Sequence, residues 1–344
     1  MKKVVLGLLG LIVVVIGGGL LFLVTMKPKQ RPAPDIKVEL TPERLARGQY
    51  LATSVWLCLD CHSEIDRTKY GTPVKPGTEG GGGECFTKEN AGFPGIVCAQ
   101  NITPDKESGI GNWTDGEIIR AIREGVSRDG SALFPMMPYK LAKNASDEDV
   151  KSIVAYLRSL KPITNKVSKG KSQVDFPVNL FIKFEPQPVE TVPEPDRKNS
   201  VAYGKYLSYA CLECHTPVDD KMQRIPGKEF SGGREFRFGE LRVRSANLTM
   251  AASGLGNRTK EQFVGLFAGW RTVAEHPTVA EKDNTMMPWA QLKHMTDEDL
   301  GAIYDYLQTV PKVDNVVQKK IPPEMPKAPE PKPEPVPEMP PPPT

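Results

Sequence analysis

Two stretches of the sequence pair cysteines with histidine at one fixed spacing: Cys58-Leu-Asp-Cys61-His62 and Cys211-Leu-Glu-Cys214-His215. Two thiols three positions apart can each add to a vinyl group of a porphyrin, and the imidazole that follows then reaches the iron. The pattern is the attachment signature of c-type haem. It predicts two covalently bound haem c groups, held by Cys58 and Cys61 and by Cys211 and Cys214, with His62 and His215 as proximal iron ligands. A structural zinc ion would draw four ligands into one cluster, yet the two pairs lie about 150 residues apart, each with its own histidine. A dithiol redox site would sit in a βαβ pattern, which the sequence lacks.

The sixth iron position is open to His, Met or nothing. The spare histidines, His276 and His294, have no counterpart near the first motif. Methionine does recur: Met136-Met137-Pro138 follows the first motif and Met286-Met287-Pro288 the second, at nearly the same interval. Methionine often fills gaps in cores, but a doublet before proline at one place after each motif reads better as a ligand. A thioether raises the reduction potential and fills the site that peroxide or oxygen would need.

These residues are carried by a repeat of about 150 residues. Gly48-Gln-Tyr-Leu51 matches Gly204-Lys-Tyr-Leu207, Asn101-Ile-Thr103 matches Asn247-Leu-Thr249, and Gly109-Ile-Gly-Asn112 matches Gly254-Leu-Gly-Asn257. Asp147-Glu-Asp149 and Asp297-Glu-Asp299 open the last helix of each copy. Thr114-x-x-Glu117 and Thr259-x-x-Gln262 are capping boxes that start helices near 115–125 and 260–270. Ser146 and Thr296 are N-cap candidates ahead of apolar residues at i, i+3, i+4 and i+7. Thr41-Pro42 begins a further helix running toward the first motif. The expectation is a mainly α protein of two modules, residues 40–160 and 199–311, each completed by a buried haem.

Residues 4–26 carry no charge and are long enough to cross a bilayer core of about 30 Å. A cleaved signal would have a shorter apolar run ending in small residues, so residues 1–30 read as an uncleaved transmembrane anchor. Thioether attachment in bacteria occurs outside the cytoplasmic membrane. The protein is therefore expected to be a single-pass protein of the bacterial cytoplasmic membrane, its modules in the periplasm. Residues 161–198 form a linker with six prolines. Its stretch Phe176-Pro-Val-Asn-Leu-Phe-Ile-Lys-Phe184 is apolar enough to pack as a belt along the modules. The tail 322–344, with 12 prolines in 23 residues, reads as extended polyproline without a core.

Cys85 and Cys98 belong to neither motif and lie in a glycine-rich insertion of the first copy; Phe236 and Arg244 stand at roughly the matching places in the second. Two such cysteines in an oxidising compartment suggest a disulfide. Lys+Arg 45 against Asp+Glu 42 leaves a charge of +3, too balanced for nucleic acid as a main partner. With 39% hydrophobic residues, wholesale disorder is excluded.

The order C-x-x-C-H, N-I/L-T, G-I/L-G-N, M-P-Y/W and D-E-D helix resembles class I cytochrome c. More narrowly, it is similar to the cytochrome c subunits of membrane-bound alcohol and gluconate dehydrogenases, over residues 40–160 and 199–310. The resemblance implies two tandem class I cytochrome c domains and electron transfer at each haem. It places the sixth ligand immediately before proline, which selects Met137 and Met287 over Met136 and Met286. It also implies redox partners: a membrane dehydrogenase, a quinol-oxidising complex or a terminal oxidase. The implied role is a membrane-anchored dihaem carrier of single electrons rather than an enzyme. The rival is a dihaem enzyme: a peroxidase, for which His276 is the one hint, or a thiosulfate dehydrogenase-like protein using a Cys85 or Cys98 thiolate as ligand.

Overall fold

Leucine, valine and isoleucine fill the N-terminal run, and with no acidic residue to break it the run folds as one helix, α1 (Lys2–Thr25), exposed along its length. It is long and apolar enough to cross a membrane. The computed structural model describes residues 2–167, 173–219 and 222–321; the proline-rich tail over 322–344 lies outside the described residues.

After α1 a strap without regular structure is fastened to the first module. Pro28 is buried, Arg31 Nε donates to Glu124 Oε1 at 2.8 Å, and the Val38 amide donates to Asp115 Oδ2 at 2.8 Å. α2 (Pro42–Tyr50) follows, with Thr41 as its N-cap and proline in its first turn. A π-turn over Leu51–Val55 leads into α3 (Cys58–Cys61). A glycine-rich excursion carries β1 (Cys85–Phe86), α4 (Lys88–Ala91) and β2 (Gly95–Cys98). Then come α5 (Asp115–Glu124), α6 (Tyr139–Ala142) and α7 (Asp147–Ser159). The linker adds β3 (Gln173–Val174), antiparallel to β2, and α8 (Val178–Phe181) running into a 3-10 turn over Ile182–Phe184. The second module repeats the scheme with α9 (Ser200–Leu207), α10 (Tyr209–His215), the hairpin β4 (Glu235–Phe238) and β5 (Leu241–Arg244), α11 (Lys260–Ala268), α12 (Trp289–Leu292) and α13 (Asp297–Leu307).

In each module the first and last helices cross at a glycine that the repeat preserves. A Cβ on Gly48 would stand 1.8 Å from Ser152 O, and one on Gly204 would stand 1.8 Å from Ala302 O. Both capping boxes form, and Ser146 and Thr296 cap α7 and α13. Around the crossings a core of Leu51, Val150, Ile153 and Leu157 is matched by Leu207, Leu300, Ile303 and Leu307.

The small sheets sit within a mainly α architecture, and the sequence reading named none of them. Strands of two to four residues are too short to show an alternating pattern in sequence. Each module also runs past its closing helix. Asn101 Nδ2 donates to Ile163 O at 2.7 Å and Asn247 Nδ2 to Val313 O at 2.9 Å. Asn165 and Asn315 donate back to Gly81 O and Ser231 O, each at 2.9 Å. The linker lies along the first module as a belt: Val192 N donates to Asp147 Oδ1 at 3.1 Å, and Val189 N to Glu124 Oε1 at 3.3 Å.

The two modules meet through reciprocal contacts, as an approximate twofold axis requires. Tyr50 OH donates to Asp299 Oδ2 at 2.6 Å, and Tyr206 OH donates to Asp149 Oδ2 at 2.7 Å. Each tyrosine oxygen also accepts from the N-cap amide of the other module's closing helix, Thr296 N at 3.3 Å and Ser146 N at 3.2 Å. Trp56 and Tyr209, each two residues before the first cysteine of its motif, stack on each other with centroids 6.4 Å apart.

Candidate haem-attachment sites

Cys58 and Cys61 sit at the two ends of the single turn α3, entered through Leu57 in the left-handed region (φ 53). His62 closes the turn, its amide donating to Cys58 O at 3.1 Å. Cys211, Cys214 and His215 occupy the last turn of α10. The two histidines are held identically. His62 Nδ1 lies 2.6 Å from Gln100 O, and His215 Nδ1 lies 2.7 Å from Ala246 O.

The accepting carbonyls are aimed by the repeated Asn-x-Thr. Asn101 Oδ1 and Asn247 Oδ1 each accept from the threonine amide two residues on, at 2.9 Å, while their Nδ2 groups bind the returning chain. The loop on the other side closes through a glycine: Gly82 N donates to His62 O and Gly232 N to His215 O, both at 2.8 Å. Both glycines have positive φ, +71 and +73, a conformation that costs other residues. Gln100 and Ala246 were not singled out in the sequence. Their signal was their position, immediately before Asn-x-Thr in both copies.

Burial sets the protonation. It pulls His62 and His215 below the ordinary histidine value against the hydrogen bond to carbonyl. Both rings are therefore neutral at pH 7, and Nδ1–H donates to the carbonyl, leaving the Nε2 lone pair free. Burial pushes the Cys58, Cys61 and Cys211 thiols up to about 12, and raises Cys214 as well.

The methionine doublets occupy equivalent turns at the starts of α6 and α12. Tyr139 N donates to Met137 O and Trp289 N to Met287 O, both at 2.8 Å. Met286 is 39% exposed, whereas Met287 packs against the core. Met136 and Met137 are both half-buried.

Cys85 and Cys98 are joined by a disulfide, S–S 1.97 Å, so neither is a free thiolate for an iron. In the second module the matching residues are Glu235 and Arg244, not Phe236 and Arg244. The β4–β5 register pairs Glu235 with Arg244, and their side chains form an ion pair at 2.5 Å. Glu235 stands three residues after Gly232 as Cys85 stands three after Gly82, so the sequence comparison had placed the match one residue late.

His276, the one hint of a peroxidase, is not exposed. It is buried at the module junction, its ring stacked on Trp270 (centroids 5.4 Å, interplanar angle 1°) and its Nδ1 2.8 Å from Tyr70 O. Its Nε2 lies 3.5 Å from Lys293 Nζ. Around it the loop carrying Arg67–Gly71 is clasped by the second module: Asn284 Nδ2 donates to Arg67 O at 2.9 Å and to Lys69 O at 3.0 Å, and Tyr70 stacks on Trp270. This histidine is committed to the joint between the modules.

The donor set fits covalent haem. A neutral imidazole oriented by a backbone carbonyl is the usual state of an iron-binding histidine, and paired thiols flank it in both copies. Trp56 Nε1 is buried without a partner among the described residues, a donor that a haem carboxylate would satisfy.

No protein-family model matches the sequence. Over 282 residues the chain is 27% identical to the cytochrome c subunit of alcohol dehydrogenase (quinone) from Gluconacetobacter polyoxogenes, covering 78% of this chain and 56% of that protein. It is 28% identical over 284 residues to the fructose dehydrogenase cytochrome subunit of Gluconobacter japonicus, covering 78% of this chain and 52% of that one. It spans about half the length of these relatives. A diheme cytochrome c-type protein of Cereibacter sphaeroides aligns at 26% identity over 317 residues, 89% of this chain and 98% of its own length. Twice-built histidine–cysteine sites and these alignments converge: the chain is a homologue of the cytochrome c subunits of dehydrogenases and of a diheme cytochrome c.

Proposed function

We propose that the protein is a membrane-anchored dihaem cytochrome c that relays single electrons between a membrane-associated donor and a periplasmic acceptor, as the electron-transfer subunit of a dehydrogenase complex. The observation that carries this reading is the duplicate histidine clamp, His62 on Gln100 O and His215 on Ala246 O, each beside its cysteine pair. In this reading residues 40–160 and 199–311 are two class I cytochrome c domains. Cys58 and Cys61 bind one haem and Cys211 and Cys214 the other. His62 with Met137, and His215 with Met287, complete the two irons. Haem supplies the one-electron couple; the chain sets its potential through ligation, burial and the backbone hydrogen bond to each imidazole.

Similarity to dehydrogenase cytochrome subunits supports a dehydrogenase as donor. The exposed helix α1 supports anchoring in the cytoplasmic membrane, and c-type attachment supports a periplasmic location for the modules. The test is expression of the full chain in a host with haem c maturation. Denatured protein is expected to retain two haem equivalents by pyridine haemochrome assay, in membranes that withstand salt and carbonate washes. The oxidised protein is expected to be low-spin, and affinity purification from the native host to bring down a dehydrogenase. One haem per chain, or a high-spin iron that binds cyanide and peroxide rapidly, would overturn the relay.

A further inference from the structure

The fold leaves three rings of the linker in the open. Phe176, Phe181 and Phe184 are 71%, 57% and 52% exposed, although Leu180 and Val189 of the same segment are buried. Looseness does not explain this, because the backbone is fastened on both sides. β3 pairs with β2, Asp175 N donates to Pro94 O at 3.1 Å, and Glu185 pairs with Lys140. Phe181 and Phe184, three residues apart, share one side of the α8 and 3-10 turn, with Leu180 turned inward. Single apolar residues on a surface need no explanation, but a cluster marks a contact.

The location names the contact. Lys183, between the two rings, donates from Nζ to Leu23 O at 2.9 Å and to Val24 O at 2.7 Å, among the last carbonyls of α1. Phe181 and Phe184 therefore stand close to the level where α1 ends. α1 presents 23 candidate spanning residues, which at about 1.5 Å each slightly exceed a bilayer core of about 30 Å. Its last turn therefore reaches the boundary between acyl chains and headgroups. Lys27 and Lys29 are exposed on the strap just beyond, where they can meet lipid phosphates.

We propose that Phe181 and Phe184 are a second membrane contact, inserted at the headgroup–acyl boundary beside the end of α1, which fixes the tilt of the two modules on the bilayer. The inference rests on α1 spanning that bilayer. Aromatic rings are favoured at this depth, and an apolar face backed by basic residues is the pattern of an interfacial segment.

The test uses the haem-loaded full chain in phospholipid vesicles containing anionic lipid. Haem attachment occupies the four motif cysteines and Cys85 is bonded to Cys98, so one introduced cysteine takes a spin label uniquely. Labels at F181C and F184C are compared with V13C within α1 and N257C on the second module, by collision with oxygen and with a water-soluble nickel chelate. The expected result is that 181 and 184 favour oxygen over nickel, as 13 does, while 257 shows the reverse. Labels at 181 and 184 that behave like 257, with 13 still in lipid, would overturn the contact and leave the anchor standing. A label at 13 open to nickel would overturn the anchor and this inference with it. Labels at 181 and 184 open to nickel in vesicles, but shielded once a dehydrogenase is bound, would assign the rings to a protein partner instead.

Discussion

Met137 and Met287 each precede a proline, which restricts the backbone of the residue before it and suits a weak ligand that must be held in place. Replacing either by alanine is expected to remove one haem's share of the methionine–iron charge-transfer band at the red end of the spectrum and to lower that haem's potential. Met136→Ala and Met286→Ala should change neither, and redox titration with optical detection separates the four. Tyr50 and Tyr206 carry a prediction of another kind. Burial, then the hydrogen bond to and charge of Asp299 or Asp149, holds each phenol above the usual tyrosine range. The folded protein keeps these protons longer than the unfolded chain does. Their contribution is therefore whole below about pH 10 and is lost as pH rises beyond it. Tyr50→Phe or Tyr206→Phe should cost about 1.5–3 kcal/mol each near pH 7, the worth of a hydrogen bond to a charged group. The double variant should lose stability less steeply above pH 10, as urea titrations at stepped pH would show. The cysteines and histidines of both candidate sites stand out in the sequence because haem attachment dictates such a spacing. The tyrosine–aspartate exchange does not, because it exists only once two modules dock, and nothing local in Gly-x-Tyr-Leu encodes a partner 249 residues away.

The helix crossings, Asn-x-Thr clamps and capping boxes recur in both copies, so the repeat announced them in sequence; their purposes came only from the fold. Gly48 looked like an unremarked member of a four-residue match. It is the point where α2 lies on α7, and Gly48→Ala is expected to cost about 3 kcal/mol or more through the clash with Ser152 O, read by chemical unfolding. Gly204→Ala should do the same at Ala302 O. The hairpins offer a comparison internal to one chain. A covalent bond ties Cys85 to Cys98 where an ion pair ties Glu235 to Arg244. C85S/C98S should destabilise the first module by about 3 kcal/mol in the chain-entropy model of cross-links. E235A/R244A, a largely exposed pair, should cost under about 1 kcal/mol. Reductant should shift the unfolding midpoint of the parent and leave that of C85S/C98S where it was. Strands this short, one paired with residues of the distant linker, leave no periodic trace, which is why the sequence showed the helices and none of the strands.

At the scale of the whole molecule, α1 is separate from both cores. Deleting residues 1–26 behind a cleavable signal is expected to yield a haem-loaded protein that leaves the membrane on washing, since every core residue lies downstream. With the phenylalanines still outward, that protein should retain weak, reversible affinity for vesicles, measurable by sedimentation; F181E/F184E should abolish it. The strap after α1 has one more consequence. A flexible connector of a dozen residues would span about 20 Å and let its cargo sweep a hemisphere in search of partners. Pro28, Arg31 on Glu124 and Val38 on Asp115 make the connector a bracket instead. A carrier mounted this way cannot shuttle. On the proposed role as an anchored electron relay, partners would have to dock from the directions the mount leaves open, and electrons would hop between stations fixed in height above the lipid.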